Sequence, residues 1–212
     1  MILAVCNSKG GVFKTGTAIN LMVFLNKYNP VLVDLDRQKS GTLLNNMRQQ
    51  FAKALDVITI NSEKELEQII NKSTKDNLFI IDTGGFDSSL TRIAIITADV
   101  LISPTSSHAV ELLGLSSFET ILQELSEVKK ETIKTNVFIN DIHPAIKNFT
   151  DIQNFINASD NFNLLNSIVR TRTELPNAMD KGLSVKEFNP KGKATQEFKA
   201  LTKEIEQLLF KI

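Results

Sequence analysis

The chain has 212 residues, enough for one domain with a substantial core. Hydrophobic residues make up 42% and charged ones 23%, and 24 basic residues balance 24 acidic ones. No overall positive field therefore draws the chain to nucleic acid or an anionic membrane, and any such contact has to come from a local patch. The single cysteine, Cys6, rules out an intrachain disulfide, and no apolar run approaches the roughly 20 residues that span a bilayer.

The first predicted element is an apolar strand, Ile2 to Cys6, entered with no basic leader or cleavage site. The chain is expected to be mature as written and cytoplasmic, with Cys6 a packed thiol in that strand. The strand runs into Ser8-Lys9-Gly10-Gly11-Val12-Phe13-Lys14-Thr15, and a helical pattern over Thr15 to Asn26 follows, with Ile19, Met22 and Val23 at helical spacing. Strand, Gly-rich turn, Lys-Thr pair and helix are the parts of a phosphate-binding loop. Backbone N–H groups from Gly10 through Val12, Phe13 and Lys14 to Gly16 face the anion, Lys14 neutralises it, and the Thr15 hydroxyl ligates magnesium. The stretch departs from G-x-x-x-x-G-K-[ST] twice. Ser8 stands where the first glycine belongs and Phe13 where the second does, while Lys9 adds a cation inside the loop.

The next predicted strand, Val31 to Leu35, carries Asp34 and Asp36 at its end, and a helix is expected over Leu43 to Lys53. Strand Val57 to Ile60 leads to helix Ser62 to Asn71, with Ser62 as cap. Strand Leu78 to Ile81 closes on Asp82-Thr83-Gly84-Gly85 ahead of helix Ser88 to Ile96. Strand Val100 to Ser103 ends in Pro104-Thr105-Ser106, helix Ala109 to Lys129 follows, and strand Asn136 to Ile139 ends in Asn140-Asp141. Helix Ile146 to Ala158, strand Leu165 to Val169 and helices Glu174 to Lys181 and Thr195 to Phe210 complete the chain. Near-continuous apolarity suits strands covered on both faces. Alternation with helices predicts an α/β fold over 1–212: a doubly wound, mostly parallel sheet flanked by helices, of the P-loop NTPase type. Ligands bind beyond the carboxyl ends of such strands, which is where the polar and Gly-rich residues gather. Asp82, closing an apolar strand, is the expected magnesium carboxylate, and Asp34 or Asp36 is expected to position water or support the metal.

Three stretches then resemble one family together: Lys9-Gly10-Gly11-Val12-Phe13-Lys14-Thr15, Val33-Asp34-Leu35-Asp36-Arg37-Gln38-Lys39-Ser40 and Ile80-Ile81-Asp82-Thr83-Gly84-Gly85-Phe86-Asp87. They are similar to the ParA partition ATPases, the deviant Walker A proteins that include MinD, whose motifs read K-G-G-x-G-K-[ST]-T and D-x-D-P-Q-G-S. Val169-Arg170, Gly182 to Glu187 and Lys193-Ala194 extend the resemblance over nearly the whole chain. It implies that ATP, ADP and Mg2+ are the cofactors, and that Lys9 reaches across an ATP-bound homodimer to the partner's phosphates. Lys14 and Thr15 match the phosphate lysine and magnesium hydroxyl, Asp36 the aspartate of the hydrolytic water, and Asp82 the Walker B carboxylate. The implied function is ATP-dependent, non-specific DNA binding that partitions a plasmid or chromosomal cargo, with an adaptor of ParB type stimulating hydrolysis near the nucleoid.

The departures qualify that picture. Phe13 replaces a glycine at a position where a bulky residue with positive φ is strained. Gly16 replaces a second hydroxyl, and Arg37 and Lys39 replace the proline and glycine of the second motif. ATP is expected to bind and turnover to be slow. Arg170, Arg172, Lys181, Lys186, Lys191 and Lys193 form the candidate DNA patch. Phe198, Leu201, Ile205, Leu208, Leu209 and Ile212 stripe the last helix, but its lysines are offset by Glu197, Glu204 and Glu206, so the stripe is expected to pack on the sheet and no stable membrane association is expected. His108 and His143 lack metal-ligand spacing. The alternatives are a MinD-like membrane-associated positioning ATPase, a metabolic ligase on the same fold, and a nucleotide-binding scaffold impaired in hydrolysis by Phe13.

Overall fold

The computed structural model describes residues 1–106 and 109–210, without the side chains of 109–111. All seven predicted strands are present: β1 (Ile2–Val5), β2 (Val31–Asp34), β3 (Val57–Thr59), β4 (Phe79–Asp82), β5 (Val100–Thr105), β6 (Thr135–Ile142) and β7 (Phe162–Arg170). They form one sheet in the order β3-β2-β4-β1-β5-β6-β7, and every pair is parallel. The described helices are α1 (Lys14–Phe24), α2 (Ser40–Arg48), α3 (Glu63–Asn71), α4 (Ser89–Thr97), α5 (Ala109–Lys129), α6 (Thr150–Asn157), α7 (Glu174–Met179), α8 (Val185–Phe188) and α9 (Lys193–Phe210).

Side chains on β1 alternate between two cores, as a pleated strand requires. Ile2, Ala4 and Cys6 pack with Leu66 of α3, Ile95 of α4, Phe118 and Leu122 of α5 and Ile156 of α6. Leu3 and Val5 face Ile19 and Met22 of α1, Val185 of α8 and Phe198, Leu201 and Ile205 of α9. A strand buried on both faces can afford no polar position before its end, which is why the apolar runs were legible. The crossover from β1 leads out to β2, and that from β4, its neighbour, leads back past β1 to β5. The loops after these two strands therefore diverge, and the crevice between them is where a doubly wound sheet binds its ligand.

Three helices differ from expectation. Helix α2 starts three residues early and ends at Arg48, not Lys53. Its first turn is held by the Asp34 carboxylate, which accepts from the Thr42 amide (2.9 Å) and hydroxyl (3.0 Å). Its end is set by Arg48, whose Nε donates to the Lys53 carbonyl (2.6 Å) and folds 49–53 back. Helix α6 begins at Thr150, not Ile146, because the Asn148 side chain accepts the Thr150 amide and hydroxyl. Helix α8 is a single turn stabilised by a Ser184–Glu187 capping box.

In α9, Phe198, Leu201, Ile205 and Leu209 are buried against the sheet and Leu208 is exposed, while Ile212 lies outside the described residues. The expected packing holds for those four residues and not for Leu208. Among the described residues no helix is long and apolar enough to cross a membrane.

Candidate phosphate and nucleotide site

The loop after β1 lies at the crevice. No backbone N–H from Gly10 to Gly16 finds an acceptor among the described residues, and α1 has no side-chain N-cap. Seven amides left open at the positive end of a helix supply the donors that an anion site needs. The loop borders a cleft of about 650 Å³ lined by Gly10, Gly11, Phe13, Lys14, Thr15, Gly16, Asp36 and Gly85 with residues of the second motif and Met179. Gly85 is required here, since a Cβ would press on the Gly10 backbone.

Lys14 is buried at the head of α1, and its Nζ donates to the Lys9 carbonyl at 2.7 Å. Burial lowers its pKa, while Asp82, Cys6 and Asp36 oppose that shift. Asp82 is fully buried beneath the loop, and neither carboxylate oxygen has a hydrogen-bond partner among the described residues. Burial pushes its pKa up to about 7; Thr15 and Lys14 pull it down, and Asp34 and Asp36 add to the rise. Two buried oxygens without a partner are a costly arrangement that a cation relieves. Asp82 and the Thr15 hydroxyl fit Mg2+, which keeps several waters and takes one or two protein ligands beside substrate phosphates. Among the described residues no group of three or more His, Cys, Asp or Glu side chains is placed to hold a metal ion.

A second cavity, about 340 Å³, lies beyond Phe13 and is lined by Gly11, Val12, Phe13, Asn140, Asp141, Thr171, Arg172, Thr173, Leu175 and Pro176. Asn140 is 3% exposed; its amide donates to the Val12 carbonyl (3.3 Å) while its Oδ1 is unpartnered. Among the described residues neither that Oδ1 nor the buried Nε of Arg172 has a partner. The two residues that carry these unsatisfied groups line a cavity large enough for a planar heterocycle.

Comparison with known proteins agrees with this geometry. Residues 1–83 match the family model described as an AAA domain. No curated protein matches the chain by sequence. The cell-division protein MinD of Aquifex aeolicus superposes with a TM-score of 0.73 at 15% identity, over 96% of each chain. A McdA variant from Cyanothece, in complex with ATP, gives 0.71 at 15% identity over 99% of this chain and 96% of that one. A putative plasmid partition protein from Borrelia burgdorferi B31, bound to AMPPNP, gives 0.67 at 17% identity over 100% and 99%. The chain shares the fold of these proteins.

Within this fold the predicted residues separate by position. Gly10, Gly11, Phe13, Lys14, Thr15, Gly16 and Asp36 come together on the cleft, with Asp82 below them. Val12 is buried and lines the second cavity instead. Lys9 does not line the cleft; its side chain runs along α5, where a Cβ on Gly114 would meet it. Asp34 does not share the cleft with Asp36. It is fully buried and caps α2, and β2 has ended before Asp36. Cys6 is packed, its thiol pushed up to about 12 by burial, as expected for an inert position.

Phe13 adopts the left-handed conformation (φ 70°, ψ 32°), which costs an L-residue about 1–2 kcal/mol. Its ring rests on Gly16, where any Cβ would overlap it. Sequence reasoning treated the two departures separately, although a three-residue spacing at a helix start was a signal that they touch. It also missed the rim formed by the Arg37 guanidinium over the Phe86 ring (4.8 Å).

The predicted basic patch is divided. Arg172 pairs with Glu197 at 2.7 Å, and Arg170 donates to the Pro144 and Ile146 carbonyls. Lys181, Lys186, Lys191 and Lys193 are exposed. Lys186 shares a groove with Lys27, Lys199 and Lys203, between α1 and α9. His143 accepts the Ala145 amide through Nδ1, and His108 lies outside the described residues.

Proposed function

We propose that this chain is an ATP-driven positioning switch of ParA type. Mg-ATP occupies the cleft with its base in the Asn140–Arg172 cavity, and a second copy closes over it to form a homodimer. Lys9 of each copy, which does not line its own cleft, reaches the other's phosphates. The dimer holds DNA without sequence preference through exposed lysines and moves a cargo with an adaptor of ParB type. Asp36 orients the water for hydrolysis, and turnover stays below about one per minute, far under the common enzymatic range. The observation that carries the reading is Asp82, with two unpartnered buried oxygens beneath seven open amides. The ATP and AMPPNP complexes of similarly folded proteins support it.

Light scattering and gel shifts on arbitrary DNA, with Mg-ATP, Mg-ADP and no nucleotide, test the proposal. A dimer and salt-sensitive DNA retention are expected with Mg-ATP alone. Lys9→Ala keeps nucleotide binding and loses the dimer. DNA binding that ignores nucleotide, or a dimer indifferent to Lys9, overturns it.

A MinD-like reading rests on a different observation. Leu43, Met47 and Phe51 are 57%, 41% and 55% exposed along α2 and its following turn. No acidic residue lies between Arg37 and Lys53. Co-sedimentation with anionic liposomes, dependent on Mg-ATP and lost in Leu43→Ser with Phe51→Ser, would favour that reading.

A further inference from the structure

Phe13 is the loop residue that the proposed function leaves without a role. The phosphate cleft and the heterocycle-sized cavity share two lining residues, Gly11 and Phe13. Gly11 has no side chain, so Phe13 is the one shared lining residue with a side chain to set between them. The ring lies on the first turn of α1, on the Gly16 backbone, in a place open only because residue 16 carries no Cβ. The amide-bearing loop residues and Lys14 line the first of these compartments, and Asn140 and Arg172 line the second. A nucleotide uses both sets of groups only by passing from one compartment to the other.

We infer that Phe13 is a gate between the phosphate cleft and the base cavity and so determines which ligands the site accepts. With the ring on Gly16, the loop accepts a magnesium-bound phosphate chain while the nucleoside end is kept from its cavity. Nucleoside binding requires the ring to leave Gly16. The cost of displacing it falls on ATP and not on inorganic tripolyphosphate, which needs the cleft alone. This inference rests on the phosphate-site reading above and deepens it.

The test is calorimetric titration of the full chain with Mg-ATP and Mg-tripolyphosphate, comparing wild type with Phe13→Gly and Gly16→Ala. The ratio of the two dissociation constants is the readout, because general damage to the loop affects both ligands. In wild type, tripolyphosphate is expected to bind at least as tightly as ATP. Phe13→Gly is expected to tighten ATP by about tenfold or more and to change tripolyphosphate by less than about threefold. Gly16→Ala, whose methyl cannot coexist with the resting ring, shifts the ratio in the same direction. Should Phe13→Gly not fold, Phe13→Ala reads the same ratio. Parallel changes in both ligands, or a ratio unaffected by removal of the ring, overturn the gate. Failure of wild type to bind tripolyphosphate overturns the phosphate-site reading itself, and the gate with it.

Discussion

The phosphate face and the C-terminal quarter both looked functional as sequence, and they differ in how their polar groups are satisfied. On the phosphate face the amides of Gly10 to Gly16, both oxygens of Asp82 and Oδ1 of Asn140 have no partner among the described residues. In the C-terminal quarter the arginines and several of the acids are held by partners within the fold, while its lysines stay exposed. Arg172 pairs with Glu197, Arg170 lies over Phe149 and on two carbonyls, and Glu187 is bound by Arg48. Buried polar groups are nearly always hydrogen-bonded, so a set left open specifies a missing ligand, whereas a run of cations specifies nothing until its partners are counted.

The largest effect that tests this contrast is at Lys14. Lys14→Ala removes the buried cation from a site whose other donors are neutral amides. Mg-tripolyphosphate affinity is expected to fall by about 100-fold or more by calorimetry, equivalent to roughly 3 kcal/mol. A loss below tenfold would place the anion elsewhere and erase the distinction between the two regions.

On the other side, Arg48→Met should cost stability and leave phosphate affinity within about twofold. Arg48 is 4% exposed and makes a bidentate pair with the 26%-exposed side chain of Glu187, besides bonds to the Lys53 and Gly182 carbonyls. Breaking a pair of this kind costs about 2–3 kcal/mol once the partial exposure of the glutamate is allowed for, readable as a lower urea midpoint. Burial works to raise the Glu187 pKa, but bonds from Arg48 and Ser184 hold it below the ordinary value. Its contribution is therefore fully present above the ordinary glutamate range and is lost as pH falls through the folded-state value. The wild-type advantage over Arg48→Met should shrink in acid.

These two positions also show what the sequence made legible. The strands, and a phosphate loop directly after the first of them, were readable because each is local: a run of apolar residues, then Gly10, Gly11, Lys14 and Thr15 within one turn. Asp34 could not be told from Asp36 in the sequence because its partner, Thr42, is defined only once α2 has turned back over the strand end. The Arg48–Glu187 clasp joins residues 139 apart, and no periodicity announces it. Arg172 read as a surface cation because Glu197, its partner, lies on α9 in the helical run whose acids had been counted only against lysines. Local chemistry was legible in the sequence, and long-range pairing was not.

Asp82→Asn comes next in size and has the opposite sign in stability. Asp82 is ordinarily near 3.8 and is raised to about 7 in the fold. Between those values the folded state keeps a proton that the unfolded state has lost, so stability falls as pH rises, and above about 7 the full penalty is present. Removing the charge should stabilise the chain by about 1–2 kcal/mol at pH 8, since the orphaned amide takes back part of the gain. The gain should disappear near pH 4. The same variant should lose the stabilisation that Mg2+ with tripolyphosphate gives the wild type. A variant less stable than wild type at pH 8 without magnesium would mean that Asp82 is paired after all.

The smallest effects fall on the divided basic patch. Lys186, Lys199 and Lys203 line one groove, and its one acid, Glu206, is already bound to Lys27 at 2.8 Å. If Mg-ATP-dependent DNA binding uses this groove, each Lys→Ala change there should weaken it by about threefold and reduce the salt slope by about 1, without regard to DNA sequence. Arg172→Ala should leave the slope unchanged, because its guanidinium is committed to Glu197 and faces the base cavity. Its effect should appear instead as weaker ATP binding with tripolyphosphate binding retained. A slope that drops in Arg172→Ala, as it does in the lysine variants, would return that residue to the DNA surface and dissolve the division between ligand-seeking and self-satisfied charge.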